Sequence, residues 1–217
     1  MSGDHDGLDR LQAALDRTAD RLLAEMNAHG FWEGELSPSA LATATAVSAL
    51  CTADPEPHRA RIERGCRWLA ADQNADGGWG DSPRSPSNLA TTMLVRAALQ
   101  LARPFCPPAP DTEQQAEDYL TAQAGKSAED RIRAVIAAYG EDRTFAAPIL
   151  MNCALAGLVD WAAVPDLPFE LSVVPNACFR FLRLHVVSYA LPALIAVGIL
   201  LDHRTPSRNP LRRFLRS

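Results

Sequence analysis

The sequence predicts an all-α fold of stacked helix pairs, an α/α-barrel array, on three observations. The chain repeats itself. Leu22-Leu23 returns as Trp68-Leu69, Asn27 as Gln73, Gly30-Phe31-Trp32 as Gly77-Gly78-Trp79, and Leu41-Ala42-Thr43 as Leu89-Ala90-Thr91. The offset drifts only from 46 to 48 residues, a period at which each unit covers its neighbour's apolar face. Ala and Leu dominate the composition while aromatics make up 6 %, a mix that favours helices over sheets. Each unit also reads in the same order: an amphipathic helix, a Gly-rich loop, then a helix of small residues.

The first helix is expected near 8–28, ahead of Gly30. A second starts at the Ser37-Pro38-Ser39 cap and runs near 38–52, since Pro is tolerated in a first turn. Its Ala42-Thr43-Ala44-Thr45-Ala46 run lets neighbouring helices approach closely, as an inner wall requires. The third, near 57–73, carries Ile62, Cys66 and Leu69 on one face and stops at Asn74-Ala75-Asp76-Gly77-Gly78. Ser85-Pro86-Ser87 then caps a fourth near 87–102, and a Pro-rich linker fills 103–111. A degenerate third unit has helices near 112–123, 128–139 and 145–159, the last in the inner place, and two more follow near 168–182 and 186–202. The chain thus reads as one domain over 1–217. It has two repeats in 8–102, a degenerate repeat with further helices in 112–202, and a basic tail in 203–217.

The net charge of −5 is unevenly spread. Residues 167–217 hold Arg180, Arg183, Arg204, Arg208, Arg212, Arg213 and Arg216 against Glu170 and Asp202, while the rest of the chain is acidic. A basic, apolar end on an acidic body points to an anionic surface such as phospholipid headgroups; a merely solvated tail is the competing reading. The acidic body argues against nucleic acid as a partner. The apolar run Val186–Leu201 has 16 residues and contains Pro192, short of the roughly 20 that a membrane span needs. The polar, acidic start Met1–Asp6 is unlike a secretory leader. The five Cys show no paired spacing, which predicts reduced, mostly buried thiols in a cytoplasmic setting, and with five scattered His no metal site is expected; the basic, apolar end adds the expectation of peripheral membrane association. No cofactor is expected, because no Gly-rich phosphate loop, nucleophile elbow or zinc-binding helix motif is present.

The segment Arg64-Gly65-Cys66-Arg67-Trp68-Leu69-Ala70-Ala71-Asp72-Gln73-Asn74-Ala75-Asp76-Gly77-Gly78-Trp79 resembles a full QW motif, the signature of squalene–hopene and oxidosqualene cyclases. The first unit resembles a weakened copy, with Asn27 at the Gln position and Trp32 at the Trp position. The third keeps Tyr119, Leu120 and Gln123. The resemblance implies a structural role for Gln73, Gly77, Trp79, Asn27 and Trp32. Chemistry agrees: an amide at a helix end can satisfy orphan backbone groups, and an indole can pack its face while its N–H finds an acceptor. Phe145–Trp161 and Val164–Leu171 are similar to the stretch leading into the cyclases' membrane-docking helix, and 172–200 to the channel-lining region after it. The matching blocks cover most of 10–200 and correspond to the second, inserted barrel domain of the cyclases, not the one bearing the acid.

Such enzymes protonate an alkene or epoxide, weak bases that demand a dry, strong acid kept protonated; the family uses an Asp-x-Asp-Asp cluster. None is present here. Asp4-His5-Asp6, Asp54-Pro55-Glu56, Glu117-Asp118, Glu129-Asp130 and Glu141-Asp142 read mostly as solvated groups. Glu33 and Glu35, after Trp32, and Asp81, after Trp79, are the candidates for a polar lid or an acid. Trp161, Phe169, Phe179, Phe181 and Tyr189 are the candidate substrate lining, able to face a carbocation. The resulting expectation is a cyclase-like domain that shapes an apolar channel for a squalene-like isoprenoid and needs an acid from a second cyclase domain or chain; a homo-oligomer is the other expected assembly. The alternative is a non-catalytic, membrane-associated isoprenoid-binding module. Arg180, Arg183, Arg208, Arg212, Arg213 and Arg216 are the expected membrane-surface contacts.

Overall fold

A computed structural model describes residues 3–34, 36–140, 143–167, 169 and 191–206. Among these the regular structure is helical and no strand occurs. The described helices are α1 (Gly3–Ala24), α2 (Ala40–Ala53), α3 (Arg59–Ala71), α4 (Leu89–Ala102), α5 (Pro110–Ala124), α6 (Ala128–Tyr139), α7 (Arg143–Leu155) and α8 (Leu191–Arg204). Short 3-10 turns stand at Glu56–His58 and Trp161–Ala163. Of the expected helix over 168–182, only Phe169 is among the described residues.

The chain divides into two compact units, Met1–Ser37 and Pro38–Ser217. In the first, α1 is amphipathic, with Leu8, Leu11, Leu15 and Leu22 on one stripe, all exposed. It stops at Ala24 rather than near 28 because the chain turns back at Gly30, whose φ of 82° suits glycine.

In the second unit the small-residue helices form the inner layer. Helix α4 packs on α2 and on α7, while α3, α5 and α6 cover them. The small faces permit this: Ala40, Ala44, Ala97, Ala98, Ala102, Ala146 and Ala147 are all buried. Helix α4 is buried nearly all round, from Thr91 through Ala102. Its caps follow the local chemistry. Ser39 caps α2 as its sequence predicts, its hydroxyl accepting from the Ala42 N–H at 3.2 Å. At α4 the expected Ser87 is displaced by Asn88, whose Oδ1 accepts from the Thr91 N–H at 2.8 Å. Ser87 is instead held in the loop by Asp76 at 2.6 Å and Asn74 at 2.9 Å. Pro110 starts α5, where its missing N–H is harmless. A Ser127–Asp130 capping box starts α6.

Candidate functional site

The loop between α3 and α4 shows what the repeated motif does. Gln73 donates from Nε2 to the Gly77 carbonyl at 2.8 Å and to the Thr112 carbonyl at 3.1 Å, tying its own loop to the first turn of α5. The Trp79 ring is fully buried, and its indole N–H donates to the Leu69 carbonyl at 2.8 Å, an orphan acceptor in the last turn of α3. Its backbone is also clamped. The Trp79 N–H donates to Thr92 Oγ1 at 3.0 Å, and its carbonyl accepts from the Asn88 N–H at 3.0 Å. Gly77, at φ 86°, lies so close to α5 that a Cβ there would sit 2.3 Å from the Gln115 carbonyl oxygen.

The first unit repeats the same turn. The Trp32 indole N–H donates to the Leu22 carbonyl at 2.5 Å. Gly30 donates to the Asn27 carbonyl and Asn27 to that of Phe31, as Gly77 does to Asn74 and Asn74 to Gly78. All these pairs are offset by 47 residues. The backbone therefore sets Asn27 opposite Asn74, and Met26 opposite Gln73. Matching amide side chains had suggested Asn27 with Gln73; the turn hydrogen bonds correct that register by one residue. In the third unit Tyr119 and Leu120 are buried, but Gln123 is exposed and does not play the part of Gln73.

The acid candidates separate. Glu33 is exposed in the first unit, and Glu35 lies outside the described residues. Asp81 accepts from the Thr91 hydroxyl at 2.5 Å and from Asn88 Nδ2 at 2.9 Å. These bonds hold its carboxyl below the usual range, the wrong direction for a proton donor. It braces the α4 N-terminus instead. Asp72, at the end of α3, is shifted upward by burial.

Of the aromatic lining candidates, Trp161 borders a cavity of about 950 Å³. Its walls come from the end of α6 (Ile136, Gly140), the start of α7 (Arg143, Ala146), residues 161–166, and Thr205 after α8. The Arg204 guanidinium lies 5.2 Å from the Trp161 ring centroid, so one π face already serves a resident cation. Phe169 packs on α8 at Gly198, where a Cβ would meet its ring at 2.5 Å. Phe179, Phe181, Tyr189, Arg180, Arg183, Arg208, Arg212, Arg213 and Arg216 lie outside the described residues. The arrangement offers a polar-rimmed cavity with one indole wall.

Glu117 corrects the reading of the acidic pairs as solvated. Arg131 donates to it from Nη2 at 2.5 Å and from Nη1 at 3.3 Å, and this holds its carboxyl low. Arg96 stands nearby, 3.5 Å from Glu113 and 3.9 Å from Glu117. Arg96 is the sole charge in the apolar sequence of α4. That was the available signal, because an arginine on a buried helix face needs partners.

Similarity to known proteins points in one direction. Residues 15–216 match the family described as the squalene-hopene cyclase N-terminal domain. The chain is 33 % identical to an enfumafungin synthase of Hormonema carpetanum over 64 % of its length, matching 9 % of that protein. It is 30 % identical to a terpene cyclase–glycosyl transferase fusion protein of Humicola fuscoatra over 91 % of its length, 14 % of that protein. A squalene hopane cyclase of Aspergillus fumigatus is 29 % identical over 64 % of the chain, 16 % of that protein. The matched segment thus spans less than a fifth of each of these relatives. No solved structure matches the chain.

Proposed function

The chain belongs to the squalene–hopene cyclase family, by its match over residues 15–216, and from that premise we propose that it is a cyclase domain that contributes channel wall rather than acid. It shapes an apolar path for a squalene-like isoprenoid, and another domain or chain supplies the proton. The observation that carries this reading is the state of the acids. The sequence contains no Asp-x-Asp-Asp, and Asp81, the carboxylate beside the motif loop, is hydrogen-bonded into its ionised form. An alkene needs the opposite, a carboxylic acid kept neutral and dry.

The Trp161 cavity is where the isoprenoid contact is assigned in this reading. Squalene in mild detergent should quench tryptophan fluorescence beyond the detergent control, and Trp161→Phe should remove most of the change. Quenching that is absent, or unaltered in that variant, sinks the assignment.

A second reading, a membrane-associated lipid-binding module, is favoured by α8. Its 14 residues are mostly apolar, Ile199 is exposed, and His203 and Arg204 close its last turn. Among the described residues no helix is long and apolar enough to cross a membrane. Docking at the surface through α8 and the basic residues 203–217 is the form such association takes in this reading.

A further inference from the structure

A cavity of about 240 Å³ lies among α4, α5, α6 and the residues following α7, apart from the Trp161 cavity. Its charge does not balance. Arg96, Lys126 and Arg131 line it with one carboxylate, Glu117. That carboxylate is already engaged by Arg131. The neighbouring Glu113, the other carboxylate beside Arg96, is bound by Arg103. Two carboxylates therefore serve three arginines, and Lys126 adds a fourth cation.

Arg96 bears the consequence. Its side chain is 18 % exposed. Its Nε and Nη1 atoms are buried and make no hydrogen bond, since Glu113 and Glu117 stand at ion-pair rather than hydrogen-bond distance. Desolvated N–H donors without an acceptor are unfavourable. Water could satisfy the donors but not the excess charge. The cavity holds several times the roughly 30 Å³ share of one water, enough for an oxyanion. Met93 and Leu120 give it an apolar wall as well.

We propose that this cavity is a binding site for a small phosphate-class oxyanion, a phosphate monoester whose short carbon group lies on Met93 and Leu120. Arg96, with its unpartnered donors, holds the oxygens; Arg131, whose N–H groups already serve Glu117, Gly125 and Thr121, adds positive charge, and Lys126, exposed at the rim, attracts the anion electrostatically.

Isothermal titration calorimetry on the full chain tests this, with inorganic phosphate and ethyl phosphate as probes at fixed ionic strength. Saturable binding with one site is expected, tighter for ethyl phosphate. Arg96→Lys, which keeps the charge but loses the guanidinium, should weaken it about tenfold or more. Lys126→Ala, at an exposed position, should weaken it by a smaller factor of about 2–5. If Arg96→Lys fails to fold by circular dichroism, the wild-type and Lys126→Ala titrations decide. No saturable heat up to about 10 mM probe overturns the site. So does binding that both variants leave unchanged, since the anion then sits elsewhere and only water fills the cavity.

Discussion

The loops around Trp32 and Trp79 are the same backbone object in two settings. Each indole N–H reaches back ten residues to a carbonyl in the last turn of the preceding helix, at 2.5 Å from Trp32 and 2.8 Å from Trp79. Each turn closes through a glycine of φ near 80–90°. Yet Trp32 is 48 % exposed and Trp79 is fully buried. A Cβ on Gly30 would meet nothing within 4 Å, whereas one on Gly77 would strike α5. The hydrogen bonds are thus a local property of the motif, formed whether or not anything covers the loop. Energy enters with packing, because an exposed bond exchanges with water while a buried ring excludes it.

Matched substitutions sharpen that contrast. Trp79→Ala should lower stability by about 3–5 kcal/mol in urea unfolding, since it empties a filled core site. Trp32→Ala should stay within about 1 kcal/mol despite losing the same hydrogen bond. Equal effects would break the comparison. Gly77→Ala should cost more than about 2 kcal/mol, joining backbone strain to a clash with Gln115. Gly30→Ala meets the strain alone, about 1–2 kcal/mol. Asn88→Ala, which removes the cap of α4 and a partner of Asp81, should cost about 1 kcal/mol.

Acid should act on the second loop more than the first. The Asp81 carboxyl is held low by Thr91 and Asn88, so its contribution is present above the unfolded value near 4 and is lost as pH falls through the folded one. Between about pH 5 and pH 2, the melting temperature of Asp81→Asn should therefore fall less than that of the wild type. Parallel profiles would mean that Asp81 does not brace α4. At the membrane the expected effect is small for each residue. Neutralising Arg208, Arg212, Arg213 and Arg216 should weaken binding to anionic vesicles by about 1 kcal/mol or less per residue. Co-sedimentation unaltered by the change would leave only the apolar segment in play.

The all-helical fold and the two like loops were legible because a repeat near 47 residues, small-residue helices and Gly-closed loops are mutually consistent. Trp79 and Gln73 were legible for the same reason. The cap at Asn88 was not, because two adjacent residues, Ser87 and Asn88, can both cap, and only the loop contacts of Ser87 to Asp76 and Asn74 choose between them. The register of Asn27 was hidden by similar amide side chains one position apart. Glu117 was hidden because residue order says nothing of Arg131, fourteen residues on, folding back over it from α6. The lone arginine of α4 was the visible trace of that network.

The proposed division of labour, channel wall in this chain and acid elsewhere, has one direct measurement. The purified chain is incubated with squalene and with oxidosqualene, and the extracts are analysed by mass spectrometry. No cyclic product is predicted from the chain alone, with cyclisation appearing when a cyclase domain bearing Asp-x-Asp-Asp is added. A cyclic product from the chain in isolation would contradict the account and turn the search for the acid to Glu33, Glu35 and Asp81.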